Sequence, residues 1–316
     1  MTTMRRCLYC YKELGDGEQG FHASCAHKFF GSKTIPELPY SRNNIEELAV
    51  QLVDTHTTVT GVQPKLSLHL NKGDRHEPAK LTIVGLWGNY IMKPQSSTLP
   101  HLPENEDLNM HLAEIAGIRT VPHTLMQMAD GERCYLTRRV DRTPQGEKIA
   151  MEDTCQLSGQ LTEHKYRSSY EKVAKTISTY SQVGRLDVIN YWQIVLFSWI
   201  VGNSDMHLKN FSLFHPDGQP RQLAPAYDLL NVHLVLPEDT EELALSLNGK
   251  RKKLARKDFE AAMTHSGLNS KTIDNMISSF GKTLSRWKDC IHMSFLSEEE
   301  QTKYISQIET TLQRLT

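Results

Sequence analysis

Several things are missing from this chain, and each absence narrows what it can be. No apolar run reaches the roughly 18 residues that a membrane-spanning helix needs, so a helical membrane protein is not expected. Neither charge is in excess, with 36 basic against 37 acidic residues, so no bulk attraction draws the chain to nucleic acid or to an anionic surface. The N-terminus, Met1-Thr2-Thr3-Met4-Arg5-Arg6-Cys7, has no apolar core of a signal peptide. Internal repeats and low-complexity tracts are absent. The six cysteines include one C-x2-C pair, which suits a metal site in a reducing cytoplasm better than a disulfide framework. At 316 residues there is room for one large domain or two lobes.

What is present begins with ligand-type side chains. Cys7-x2-Cys10-x11-His22-x2-Cys25 forms two short knuckles. Four such groups can close a tetrahedral zinc site, structural in role because no coordination position stays open. The plainer alternative is a small cap in which these four residues do nothing special. Basic residues are few here (Arg5, Arg6, Lys12, Lys28), so a finger that reads nucleic acid is not expected.

Periodicity places the elements. A helix is expected from Asn43, capped by Asn43 with Glu46, its apolar face made by Ile45, Leu48, Ala49, Leu52 and Val53. The alternation of Leu66, Leu68 and Leu70 predicts a strand fed by a loop over residues 57–65, and residues 81–84, 89–93, 121–128 and 134–140 read as further strands. Between them Pro103-Glu104-Asn105-Glu106 opens a helix with acids in its first turn, and Gly117 stops it. From Met151 the character becomes helical. Residues 170–180 form one helix, and residues 188–201, apolar nearly all round, belong at the centre of a lobe. A short hairpin follows around Pro216-Asp217-Gly218, then two or three amphipathic helices after Asp258. The run Lys250-Arg251-Lys252-Lys253 reads as a solvated loop, with substrate docking as the alternative. The expected class is α+β, with a Cys/His segment at 1–38, a β-rich lobe at 39–142 and a helical lobe at 143–316.

The chemistry concentrates in Gly202-Asn203-Ser204-Asp205-Met206-His207-Leu208-Lys209-Asn210-Phe211, which brings an acid, a base, an ammonium and an amide together after the apolar helix. A glycine loop with Gly61, strand-end Lys93, helix-start Glu104 and Glu106, Asp205-x4-Asn210 and then Asp228 follow the order of a bilobal kinase. In that arrangement Lys93 neutralises phosphate charge, with Glu104 or Glu106 as its helix partner. Asp205 accepts the proton of the attacking hydroxyl, and the oxygens of Asn210 and Asp228 suit Mg2+. Such chemistry is mostly positioning and electrostatics.

The resemblance then becomes specific. Thr60-Gly61-Val62-Gln63-Pro64-Lys65-Leu66-Ser67-Leu68, Tyr90-Ile91-Met92-Lys93-Pro94, Glu104-Asn105-Glu106, Arg139-Val140-Asp141-Arg142, residues 203–212 and Leu223-Ala224-Pro225-Ala226-Tyr227-Asp228 together resemble the HipA family of serine/threonine kinase toxins. The shorter form and the Gly-Val-Gln-Pro-Lys loop are closer to the HipT kinases of tripartite systems. The resemblance implies a protein-kinase-like fold, ATP with Mg2+, and phosphorylation of a protein such as an aminoacyl-tRNA synthetase in the cytoplasm. It makes Asp205 the catalytic aspartate supported by His207 and Lys209, and Asn210 and Asp228 the magnesium ligands. Lys93 becomes the phosphate lysine, Gly61, Val62, Gln63 and Lys65 the phosphate-covering loop, and Arg138 and Val140 the adenine hinge. Thr58 and Thr60 fall where the family autophosphorylates its loop. Implied partners are a small HipS-like protein and a helix-turn-helix HipB-like antitoxin, through which alone the chain would reach DNA. The Cys7/Cys10/His22/Cys25 segment lies outside the family pattern.

Overall fold

The structure, a computed structural model, describes residues 5–45, 64–73, 77–85 and 87–315. The chain divides into two compact units, Met1–Asp107 with Val121–Gly146 and Met293–Phe295, and Leu108–Thr120 with Glu147–His292 and Leu296–Thr316. The first is β-rich and the second mainly helical, as the α+β reading expects. Among the described residues no helix is long and apolar enough to cross a membrane.

In the first unit, α1 (Ala23–Phe30) follows the Cys/His segment. Strands β1 (Leu66–Asn71), β2 (Lys80–Ile83), β3 (Tyr90–Lys93), β4 (His123–Gln127) and β5 (Arg133–Arg138) make one antiparallel sheet in the order β2-β1-β3-β5-β4. Alternation in β1 buries Leu66 and Leu68, which pair with Met92 and Tyr90 of β3. A Cβ on Gly88 would collide with the Leu68 carbonyl, so the turn before β3 requires glycine there. Both sheet edges are covered, which removes the hazard of open strands. Glu37 bonds with the backbone of Ala79 and Leu81 beside β2, and the Leu8 carbonyl accepts from Leu125 N–H of β4 at 3.3 Å. Helix α2 (Leu102–Ile115) carries Glu104 in its first turn, and Gly117 ends it at φ +81°.

One helix start differs from expectation. The turn begins at Arg42, not Asn43. Ser41 caps it, its hydroxyl oxygen accepting from Asn44 N–H at 3.3 Å while Asn44 Oδ1 accepts from Ser41 N–H at 3.1 Å. A serine placed just ahead of the turn is the better N-cap. Glu46 and the rest of that helix lie outside the described residues.

The second unit holds α3 (Thr154–Leu157), α4 (Tyr170–Tyr180), α5 (Arg185–Ile200), α6 (Val232–Val235), α7 (Arg256–His265), α8 (Ser270–Met293) and α9 (Glu298–Gln313). Helix α5 is the core element, with Val188, Tyr191, Trp192, Val195, Leu196, Phe197 and Ile200 all buried; each contributes about 1.5–3 kcal/mol on burial. A small antiparallel sheet joins β6 (Met151–Asp153), β7 (Ser212–Phe214) and β8 (Gln222–Leu223). The β7/β8 hairpin matches expectation. Strand β6 falls where helical character was expected, because three residues are too few to display an alternation and pairing with β7 decides their conformation.

Candidate functional site

The first two turns of α2 carry three acids, Glu104, Glu106 and Asp107, and each has its own partner. Lys93 Nζ donates to Glu106 Oε1 at 2.6 Å and Oε2 at 2.8 Å, with both residues close to fully buried. The ammonium also lies 5.4 Å from the centre of the Tyr135 ring. Glu104 is engaged elsewhere, by Arg133 at 2.8 Å and Gln95 at 2.7 Å. Asp107 takes the Tyr11 hydroxyl on Oδ2 and His123 Nδ1 on Oδ1, each at 2.7 Å. Of the two helix-start carboxylates left open by sequence, Glu106 is therefore the one that meets Lys93.

Other expected positions of this unit are arranged around the sheet. Lys65 is exposed just before β1. Arg138 is exposed at the end of β5, its N–H donating to Pro122 O at 2.9 Å, and Val140 is half-buried beyond it. Arg139 grips Asp141 with two bonds of 2.8 and 2.6 Å, which outweighs burial and holds that carboxyl below the usual range. Gly61, Val62, Gln63, Thr58 and Thr60 lie outside the described residues.

In the second unit the stretch after α5 is held mainly through its backbone. Gly202 turns the chain at φ +74°. Tyr170 donates to Met206 O at 2.9 Å, Thr154 to Leu208 O at 2.6 Å and Tyr227 to Lys209 O at 3.0 Å. Three separate elements thus hold three successive parts of one loop. Tyr227 also bonds Ser212 at 2.6 Å, which ties the segment carrying Asp228 to the segment carrying Asn210. Asp228 itself adopts φ +56°, an uncommon conformation for a residue other than glycine and one that concentrates at ligand sites.

The side chains of this loop divide the work. Asp205 is exposed; its N–H donates to Asn203 Oδ1 at 3.2 Å and its Oδ1 accepts from the Tyr166 hydroxyl at 2.6 Å. Burial, then the Asp205 carboxylate, pushes the Tyr166 phenol up, so it stays a protonated donor. His207 accepts from Lys209 N–H through Nδ1 at 3.3 Å, and its ring meets Tyr166 edge-on at 5.0 Å. Burial first, helped by the Lys165 charge and opposed by Asp205, lowers the His207 pKa. A neutral, Nδ1-accepting ring supports the loop and is poorly placed to act as its acid. Asn210 is buried, with Oδ1 accepting from His207 N–H at 3.2 Å. Lys209 Nζ lies 3.5 Å from Asp153 Oδ2 and from Thr162 Oγ1.

Tyr166, Tyr170 and Thr154 had no signal in the sequence, since they act across 36 to 54 positions. The run Lys250 to Lys253 is also more than a solvated loop. Arg251 donates to the Tyr166 carbonyl at 2.7 Å, Lys250 pairs with Asp258 at 2.8 Å and Lys252 with Glu241 at 3.4 Å.

The Cys/His segment forms a cluster in the first unit. One ligand atom from each of Cys7, Cys10, His22 and Cys25 lies within 4.8 Å of all the others. His22 Nδ1 is 3.4 Å from Cys10 Sγ and 3.8 Å from Cys25 Sγ. Burial, then the neighbouring Cys7 and Cys10 groups, pushes the Cys25 thiol up to about 12.

Comparison with known proteins adds a frame to this geometry. The HipA-like C-terminal domain profile matches residues 57–287. "Putative kinase Y4dM" of Sinorhizobium fredii is 31% identical over 68% of this chain and 55% of its own length. "Putative kinase" of Haemophilus influenzae is 28% identical over 95% of this chain and 89% of its own length. The serine/threonine-protein kinase toxin HipA of Shewanella oneidensis is 28% identical over 60% of this chain and 46% of its own length. The chain therefore spans about half the length of two of these three curated relatives. Among solved structures, the Shewanella oneidensis HipA, HipB and operator DNA complex aligns with TM-score 0.66 at 21% identity, over 88% of this chain and 71% of that one. The Helicobacter pylori proinflammatory kinase CtkA aligns with TM-score 0.53 at 14% identity, over 74% of this chain and 90% of that one. At these identities the structural likeness speaks for the fold alone.

Proposed function

The chain belongs to the HipA-like C-terminal domain family, and on that premise we propose that it is a serine/threonine protein kinase toxin that transfers the terminal phosphoryl group of ATP to a protein hydroxyl. The observation that carries this reading is the Lys93–Glu106 pair. A strand lysine and a helix glutamate, joined by two short bonds in a buried setting, are the device that fixes an ammonium for nucleotide phosphates.

The remaining residues take roles that their surroundings support. Asp205, its backbone held by Asn203 and its carboxylate by Tyr166, presents that carboxylate at an exposed position and receives the proton of the attacking hydroxyl. His207, neutral, and Lys209 shape the loop around it. The amide oxygen of Asn210 and the carboxylate of Asp228, both hard donors, fit a magnesium ion, and the left-handed backbone of Asp228 is the kind of strain that ligand sites retain. Magnesium, when bound, supplies neutralisation of phosphate charge. Gly61, Val62, Gln63 and Lys65 cover the phosphates, and Arg138 and Val140 border the adenine.

The finer assignments rest on the family. The substrate is a translation component of the aminoacyl-tRNA synthetase class, the setting is cytoplasmic, and the chain works as a HipT-type kinase beside a small HipS-like protein. A HipB-like helix-turn-helix antitoxin is supported by the relative crystallised with HipB and operator DNA. Autophosphorylation at Thr58 or Thr60 would place close to two negative charges where ATP phosphates sit and so shut the kinase off. A phosphopeptide map after ATP incubation with no phosphate in that loop removes this control.

The deciding experiment adds labelled ATP to bacterial lysate with wild type and with Asp205→Ala. Label on protein from wild type alone supports the proposal. Label on metabolites alone would make the chain a small-molecule phosphotransferase. Nucleotide binding without turnover in either protein would make it a scaffold.

A further inference from the structure

The Cys/His segment is unused by phosphate transfer, yet it touches the two elements on which Lys93 and Glu106 depend. Zinc bonds of about 2.3 Å to sulfur and about 2.0 Å to nitrogen set sulfur–nitrogen edges near ~3.6 Å in a tetrahedron. The two edges from His22 Nδ1 to Cys10 and Cys25, 3.4 and 3.8 Å, bracket that value. His22 Nε2 lies 2.9 Å from the Glu13 carbonyl, which fixes the proton on that nitrogen and turns the lone pair of Nδ1 to the centre of the cluster. Tyr11, directly after the C-x2-C knuckle, holds φ +63°, a strained conformation for an aromatic residue that persists only where the surroundings impose it.

What the knuckle carries is as specific as its ligands. Between Cys7 and Cys10 stands Leu8, whose carbonyl accepts from Leu125 N–H at 3.3 Å and from the Thr124 hydroxyl at 3.2 Å, closing the free edge of β4. Tyr11 donates a hydrogen bond from its hydroxyl to Asp107, next to Glu106, and its ring packs edge-on against Phe295 at 5.3 Å. From α1, held by Cys25, Phe29 reaches Tyr90 of β3 at 5.9 Å.

We propose that Cys7, Cys10, His22 and Cys25 bind one Zn2+ in a closed tetrahedron of three sulfurs and one nitrogen, and that this metal sets the strap of residues 7–11 that seals β4 and grips α2 at Asp107. Three thiolates and one imidazole are the donors that select zinc over the hard cations. Its role is positional, because four protein ligands leave no site for substrate. The proposal is independent of phosphate transfer and is read without it.

The test takes the full chain, purified under reducing conditions, and measures its metal. About one zinc per chain is expected. Replacement by Co2+ gives the visible bands of a tetrahedral sulfur-rich site. His22→Cys keeps the metal and moves those bands toward an all-sulfur site, whereas His22→Ala releases it. Stripping zinc with a chelator accelerates hydrogen exchange at the Leu125 amide by about tenfold or more. No zinc or cobalt uptake by the wild-type chain overturns the metal site, as does a stable Cys7–Cys10 disulfide in cells. Metal loss that leaves the Leu125 amide unchanged overturns the strap. Should the variants fail to fold, uptake and the cobalt spectrum of the wild-type chain decide alone.

Discussion

Tyr166 donates a hydrogen bond from its hydroxyl to Asp205 at 2.6 Å, and Arg251 holds the carbonyl of the same tyrosine at 2.7 Å. The carboxylate proposed to receive the substrate proton is therefore oriented by a residue 39 positions earlier. Tyr166→Phe removes the donor and leaves the ring. A hydrogen bond to a charged group is worth roughly 1.5–3 kcal/mol, and at this exposed site the lower end applies, so turnover should fall about tenfold. KM for ATP should not move. Unchanged or faster phosphate transfer by Tyr166→Phe in a labelled-ATP assay would contradict the orienting role.

Lys93 and Glu106 allow stability and activity to be separated. Lys93→Met leaves a buried carboxylate without its main cation and should cost about 3–5 kcal/mol in urea unfolding. Lys93→Met with Glu106→Leu removes both charges and should recover most of that loss. Neither protein should transfer phosphate. A double variant no more stable than the single one would show that the pair is not the source of the penalty.

His207 should make stability depend on pH. Its pKa is lowered in the folded chain, first by burial and then by Lys165, against the pull of Asp205. The unfolded chain takes up this proton near the ordinary value of about 6.5 and the folded chain only at lower pH. Unfolding thus binds a proton in that window, and stability, complete above about 6.5, falls as pH drops through it. His207→Gln should flatten this part of the curve of urea midpoint against pH. An unaltered curve would assign the dependence to other groups.

Gly202 has two reasons to be glycine. Its φ of +74° costs another residue about 1–2 kcal/mol, and a Cβ there would run into the Gln307 amide, which is itself bonded to Asn231 at 3.0 Å. Gly202→Ala should lower the melting temperature and slow phosphate transfer by shifting Asn203 and Asp205. Adding Gln307→Ala should return only the part due to the collision. Full recovery would deny the backbone contribution.

Much of this was legible in sequence because it is local. Alternation along Leu66, Leu68 and Leu70 predicts β1, and six linked motifs point to the family now matched over residues 57–287. The choice between Glu104 and Glu106 was not legible. Two residues apart on a helix, they face opposite ways, and only the fold shows which side meets Lys93 and which meets Arg133. Tyr166, Tyr170 and Thr154 were invisible for a related reason, since their partners are backbone or side-chain atoms brought near by packing. Strand β6 exists only because β7 lies beside it.

Tyr170, Thr154 and Tyr227 hold the backbone from Met206 to Lys209, and none of them needs the Asp205 carboxylate to do so. An Asp205→Asn chain therefore keeps the outline of this loop while losing the proton acceptor proposed above. If the chain acts as the kinase toxin proposed above, such a variant competes with it. Expressed beside the wild type, it should occupy the same targets unproductively, so the ratio of silent to active copies, and not the amount of active chain alone, would set the effect on growth.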